Sequence, residues 1–138
     1  MKNIEKVKTV REMRKEDVQE AYFKASKELR ELNPRTKQSD IFAYALKTGA
    51  PRFYVSFENA RRYISLMARG KKIPITNANK LAMYTEIYRR YCGRIAKSTE
   101  ARAFTVLEDI IEEPAPSFYL DMWTFQGIVY RAFRRAKK

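Results

Sequence analysis

The sequence predicts an all-α protein of about six helices, arranged as two related three-helix units. Three observations predict it. Apolar residues recur at the i, i+4, i+7, i+11 spacing of a helix with one buried face. Glycine is scarce, with four residues, and proline numbers five, so the turn-rich strand spacing of an all-β fold is missing. A short phrase also occurs twice. Ala50-Pro51-Arg52-Phe53-Tyr54-Val55-Ser56 returns as Ala115-Pro116-Ser117-Phe118-Tyr119-Leu120-Asp121.

The likeness extends upstream of each copy. At the same offset Phe42, Ala45 and Leu46 match Leu107, Ile110 and Ile111. With one more residue of offset, Val18, Tyr22, Ala25 and Leu29 match Tyr84, Tyr88, Tyr91 and Ile95. A duplicated unit explains both matches. The expected organisation is a tail over 1–8, a first unit over 9–70, a linker over 71–76 and a second unit over 77–138.

Each element has a local reason. Thr9 caps a first helix whose stripe is Val18, Tyr22, Ala25, Leu29 and Leu32, and Asn33-Pro34 ends it. Ser39 or Asp40 caps a second helix from Ile41 to about Lys47, closed by Gly49. Ser56 caps a third, with Phe57, Ala60, Ile64 and Met67 buried and Gly70 at its end. Thr76 or Asn77 caps a fourth over about Ala78–Ala96, and Ser98 or Thr99 a fifth over about Glu100–Glu113. Asp121 caps a sixth that runs to the C-terminus. Cys92, beside Gly93, reads as a packed thiol without a role.

The repeated phrase reads first as a joint. Proline restricts the backbone, phenylalanine supplies buried area, and Ser56 or Asp121 caps the next helix. A sharper reading leaves Tyr54 and Tyr119 partly exposed, to stack on bases or bond phosphates. Ala45-Leu46-Lys47-Thr48-Gly49 resembles the A-x-x-x-G at the end of the first helix of a helix-turn-helix. That resemblance implies a recognition helix opened by Arg52-Phe53-Tyr54. The second copy departs from it, with Glu113-Pro114 where Thr48-Gly49 stands.

Composition excludes much chemistry. The chain has no histidine and one cysteine, which removes His-activated nucleophiles, disulfides within the chain and Cys/His metal sites. No P-loop, glycine-rich nucleotide turn or G-x-S-x-G occurs. Catalysis, a cofactor and a resident metal are therefore not expected. Asp109, Glu112 and Glu113 are clustered carboxylates of the kind that hold magnesium, and a solvated acidic face or a dock for a basic partner explains them better. No apolar run suits a membrane span or signal peptide, so a cytoplasmic protein without a membrane partner is expected.

The formal charge is +13 over 138 residues, and it is patterned. From Asn59 to Leu107 eleven Lys and Arg face only Glu86 and Glu100, and from Met122 onward five bases meet no acid. Glu108, Asp109, Glu112, Glu113 and Asp121 form an acidic island between these stretches. Such a surface attracts polyanions. The expected function is non-enzymatic nucleic-acid binding, duplex DNA before RNA.

The expected contacts are Arg52 and Tyr54 ahead of the third helix, Asn59, Arg61, Arg62 and Arg69 on it, and Lys71 and Lys72 after it. Arg90, Arg94 and Lys97 on the fourth helix and Arg131, Arg134 and Arg135 on the sixth add phosphate contacts. Arginine and asparagine suit phosphate and base edges. The alternative is a small assembly or adaptor protein that binds other proteins through the acidic island and aromatic connectors. Self-association, acidic island against basic stripe, fits either reading.

Overall fold

Helix α1 (Val10–Leu32) begins where Thr9 Oγ1 accepts the Glu12 N–H at 3.1 Å, and it ends at Asn33, whose N–H reaches back to the Leu29 carbonyl. Five more helices follow: α2 (Gln38–Lys47), α3 (Phe57–Ala68), α4 (Ala78–Lys97), α5 (Ala103–Ile111) and α6 (Met122–Ala136). The computed structural model describes residues 8–97 and 102–136, and these are all-helical without strands. None of the described helices is long and apolar enough to cross a membrane.

The predicted starts of α3, α4 and α6 are met by side-chain caps. Ser56 Oγ accepts from Asn59 N, Asn77 Oδ1 from Lys80 N, and Asp121 Oδ1 from Thr124 N, at 3.2, 3.0 and 2.7 Å. Gly70, at φ 73°, closes α3 with paired bonds from Gly70 N to Met67 O and Lys71 N to Leu66 O. That is the left-handed helix stop glycine favours.

Two helices depart from expectation. Helix α2 starts earlier, at Gln38, with Lys37 at the cap position and no side-chain cap; Asp40 lies in its first turn instead. It stops at Thr48, whose hydroxyl donates to the Ala45 carbonyl at 2.8 Å, so Gly49 is not the helix stop. Helix α5 ends at Ile111, two residues short of Glu113. The residues expected to start it, Ser98, Thr99 and Glu100, lie outside the described residues, as does most of the tail over 1–8.

The helices sort into two packed groups that cut across the sequence division at 71–76. Helices α1 and α2 pack with α6, while α4 and α5 pack with α3. Helix α3 makes no helix-to-helix contact with α1 or α2, nor does α6 with α4 or α5, among the described residues. Exchanging α1 for α4, α2 for α5 and α3 for α6 maps one group onto the other. The third helix of each sequence unit thus completes the cluster of the other. One continuous apolar core joins both groups, with Val18, Ile41, Phe42, Ile64, Ile87, Ile110, Phe125 and Val129 its largest sealed side chains.

The crossing happens at the repeated phrases. Ala50 and Ala115 form an antiparallel bridge, N to O at 2.9 and 2.8 Å in the two directions. Phe53 N then donates to Ile111 O at 3.1 Å, carrying the chain after α2 toward the end of α5. Gly49 matters here: a Cβ on it would lie 2.7 Å from the Ala115 carbonyl oxygen. Phe53 and Phe118 are buried as expected. The rings pair crosswise, Tyr54 on Phe118 at 5.8 Å and Phe53 on Tyr119 at 6.1 Å, both stacked.

This geometry removes the helix-turn-helix. Helices α2 and α3 do not pack together, and Arg52, Phe53 and Tyr54 lie in the extended joint ahead of α3 rather than opening a recognition helix. The physical reason is the bridge itself, which commits the joint to its twin and delivers α3 to α4 and α5. Cys92 also differs from expectation: it is exposed, not packed.

Candidate nucleic-acid interface

The fold divides the predicted contact residues by whether a carboxylate meets them. Four lie beside a carboxylate. The Tyr54 hydroxyl donates to Asp17 Oδ2 at 2.7 Å, and burial together with that bond pushes its pKa well above the usual value. Arg52 Nε lies 3.6 Å from the same oxygen, too far to hydrogen-bond, and is sealed from solvent. Arg90 bonds Glu86 Oε2 at 2.7 Å and the Pro114 carbonyl at 3.1 Å, and its guanidinium sits 5.0 Å from the centre of the Phe53 ring. Arg94 pairs with Glu113. The hydrogen bonds from Arg89, with those from Arg90, hold the Glu86 carboxyl below its ordinary value.

The acidic island is divided: Glu113 serves Arg94 and Arg90 and Asp121 caps α6, while Glu108, Asp109 and Glu112 stay exposed. No group of three metal-ligating side chains forms among the described residues, so Asp109, Glu112 and Glu113 do not assemble a magnesium site.

The remaining predicted cations stay at the surface. Arg61, Arg62, Arg69, Lys71 and Lys72 are all exposed and, among the described residues, pair with no carboxylate. Arg61 and Arg62 are steadied over rings, Arg61 on Phe104 and Arg62 on Tyr63, each at 5.5 Å. Arg69 donates to Ser65 Oγ at 3.0 Å. Arg61, Arg62, Ser65 and Arg69 line an open groove of about 890 Å³ with Tyr91, Phe104 and the acid Glu58. Phe104 is 52% exposed there, an aromatic face held beside guanidinium groups. Lys97, Arg131 and Arg134 are also exposed. The side chain of Arg135 lies outside the described residues.

A second groove, of about 580 Å³, runs where α1, α3, α4 and α6 all begin. It takes matching positions from both halves: Tyr54 and Tyr119, Ser56 and Asp121, Asn59 and Thr124, Arg14 and Lys80. Of its lining Asn59, Tyr54 and Tyr119 are residues the sequence offers as contacts. Arg11, Arg14, Asn77, Asn79 and Lys80 escape sequence reasoning, because nothing along the chain shows that the starts of α1 and α4 face one another. The one available signal is the repeat offset, which pairs Arg14 with Lys80.

Helix α3 is the wall between the grooves. Asn59 lines the second and Arg62 the first, and Arg62 Nη2 donates to Asn59 Oδ1 at 3.4 Å.

Comparison with protein-family models, with curated proteins and with solved structures finds no match to this chain.

Proposed function

We propose that this protein binds nucleic acid without catalysing a reaction, duplex DNA being the first choice. The observation that carries the reading is the set of five exposed cations on α3 and the turn after it, none met by a carboxylate among the described residues. A solvated basic surface would gain from interspersed acid, as α4 shows with Glu86 bonded to both Arg89 and Arg90. On α3 only Glu58 at its start offers one, where it suits the helix dipole. Arginines placed beside Phe104 and Tyr91 offer charge and a stacking face together.

The contact set is narrower than the sequence suggests. Arg61, Arg62, Arg69, Lys71 and Lys72 form the main face. Asn59 stands beside it, and Lys97, Arg131 and Arg134 remain as outlying phosphate contacts. Arg52, Tyr54, Arg90 and Arg94 act in the fold.

A salt titration of duplex binding tests this. The logarithm of affinity should fall linearly with the logarithm of salt, and Arg61→Ala/Arg62→Ala should flatten the slope by about 2. No duplex binding even at low salt would sink the reading. The adaptor alternative would then gain, with Trp123, 85% exposed at the start of α6, as its natural contact.

A further inference from the structure

We propose that the groove where α1, α3, α4 and α6 begin is a binding site for a nucleotide phosphate, with Arg14 and Lys80 as its paired anion contacts. The occupant we favour is a short single-stranded stretch of nucleic acid. The inference rests on the nucleic-acid reading but uses a different surface.

Its size comes first. About 580 Å³ is the scale of clefts that hold small ligands, far below what a duplex requires. A splayed nucleotide or two fits that volume.

Charge comes next. Arg11, Arg14 and Lys80 line the groove against a single acid, Asp121, whose carboxylate is already engaged by the Thr124 N–H. Arg14 is half-buried, and its Nε is sealed from solvent with no hydrogen-bond partner among the described residues. Half-burying a cation with no counter-charge beside it is costly. Burial lowers the pKa of Arg14, and Arg11 and Arg131 add like charge to its surroundings. A phosphate in the groove supplies the missing counter-charge beside the exposed part of the Arg14 side chain.

The rest of the lining suits the remainder of a nucleotide. Tyr63 and Tyr84 pack edge to face at 4.9 Å and line the groove together with Tyr119. Asn59, Asn77 and Asn79 add amides able to donate and accept. Asn77 uses its oxygen to cap α4, which leaves its NH2 group for a ligand. Tyr119 holds φ at 55°, a left-handed conformation that its counterpart Tyr54 does not share. Strain of that kind at a bulky residue collects at ligand sites. The Asn59–Arg62 contact over α3 joins this groove to the main basic face, so one strand can touch both.

The test is fluorescence anisotropy of labelled hexathymidylate at low salt, competed by thymidine monophosphate. Wild type should bind the hexamer, and Arg14→Ala/Lys80→Ala should weaken it about tenfold or more. Arg14→Lys, which keeps the charge, should restore part of the loss. Competition by the monophosphate, lost in the same double variant, would support the site with a free nucleotide as its source. Competition by the oligomer alone would support a strand. Exposed Lys80→Ala, with circular dichroism unchanged, guards against misfolding. Hexamer binding that is absent, or unmoved by both substitutions in folded protein, would overturn the proposal. Duplex binding sensitive to Arg61→Ala/Arg62→Ala alongside that result would leave the main face standing. Failure of duplex binding with Arg14-dependent hexamer binding would do the reverse.

Discussion

Ala50 and Ala115 exchange both main-chain hydrogen bonds, at 2.9 and 2.8 Å, so the two copies of the repeated phrase meet each other. The pairing makes the joint a shared structural element. It sets the crosswise stacking of Phe53 on Tyr119 and of Tyr54 on Phe118. It also sends α3 and α6 each to the opposite cluster.

Gly49→Ala should strike this joint. Its methyl group would sit 2.7 Å from the Ala115 carbonyl oxygen, a backbone atom that cannot yield without opening the bridge. A loss of about 1–3 kcal/mol is expected, as for overpacking in a dense interior. Urea unfolding measures it, and an unchanged midpoint would mean the close approach is not held in solution.

Fragments should show the exchange of third helices. Residues 1–76 carry α1, α2 and α3, but α6 is the helix that completes the α1–α2 cluster. Neither 1–76 nor 77–138 should fold alone, and mixing them should restore helical circular dichroism. Independent cooperative folding of either half would contradict the packing.

The arginines should separate by role. Arg90→Ala removes a side chain that binds Glu86, the Pro114 carbonyl and the Phe53 ring. About 1.5–3 kcal/mol of stability should go with it, the scale of hydrogen bonds to charged groups. Arg69→Ala, on the exposed face, should change stability by no more than about 0.5 kcal/mol while weakening duplex binding. Chemical unfolding and binding measured on the same two variants check the division.

Alkaline pH should destabilise the fold through Tyr54. Its hydroxyl is pushed above the ordinary value of 10.0 by burial and by its bond to Asp17. The unfolded chain then releases this proton first, so stability is whole below pH 10 and declines as pH rises beyond it. Tyr54→Phe should soften that decline. An alkaline unfolding curve with tyrosinate absorbance tracks both, and identical slopes for the two proteins would refute the assignment.

Much of the fold is legible along the chain because it is local. The caps at Thr9, Ser56 and Asp121 and the stop at Gly70 each depend on a few neighbouring residues, and they appear where expected. Buried stripes come from helical spacing, so Val18, Ala60 and Ile64 can be named as core. The start of α2 is not legible in this way, because Lys37 begins it without a side-chain cap and leaves no mark in composition.

The candidate site is legible only in part. Helical spacing places Arg61, Arg62 and Arg69 away from the buried stripe, and they are exposed. Spacing does not show that Asp17, 37 residues from Tyr54 along the chain, takes its hydroxyl. Nor does it show that Glu113 reaches Arg94 from 19 residues away.

Composition and periodicity alone determined an all-helical, strongly basic chain with a phrase that occurs twice, because charge, caps and helical faces are properties of short segments. Tertiary structure alone decided that the copies pair with each other, that third helices change partners, and which cations remain unmatched. Those outcomes depend on contacts between residues distant in sequence, where the hydrogen bonds of Ala50 and the carboxylates of Asp17 and Glu113 find their partners.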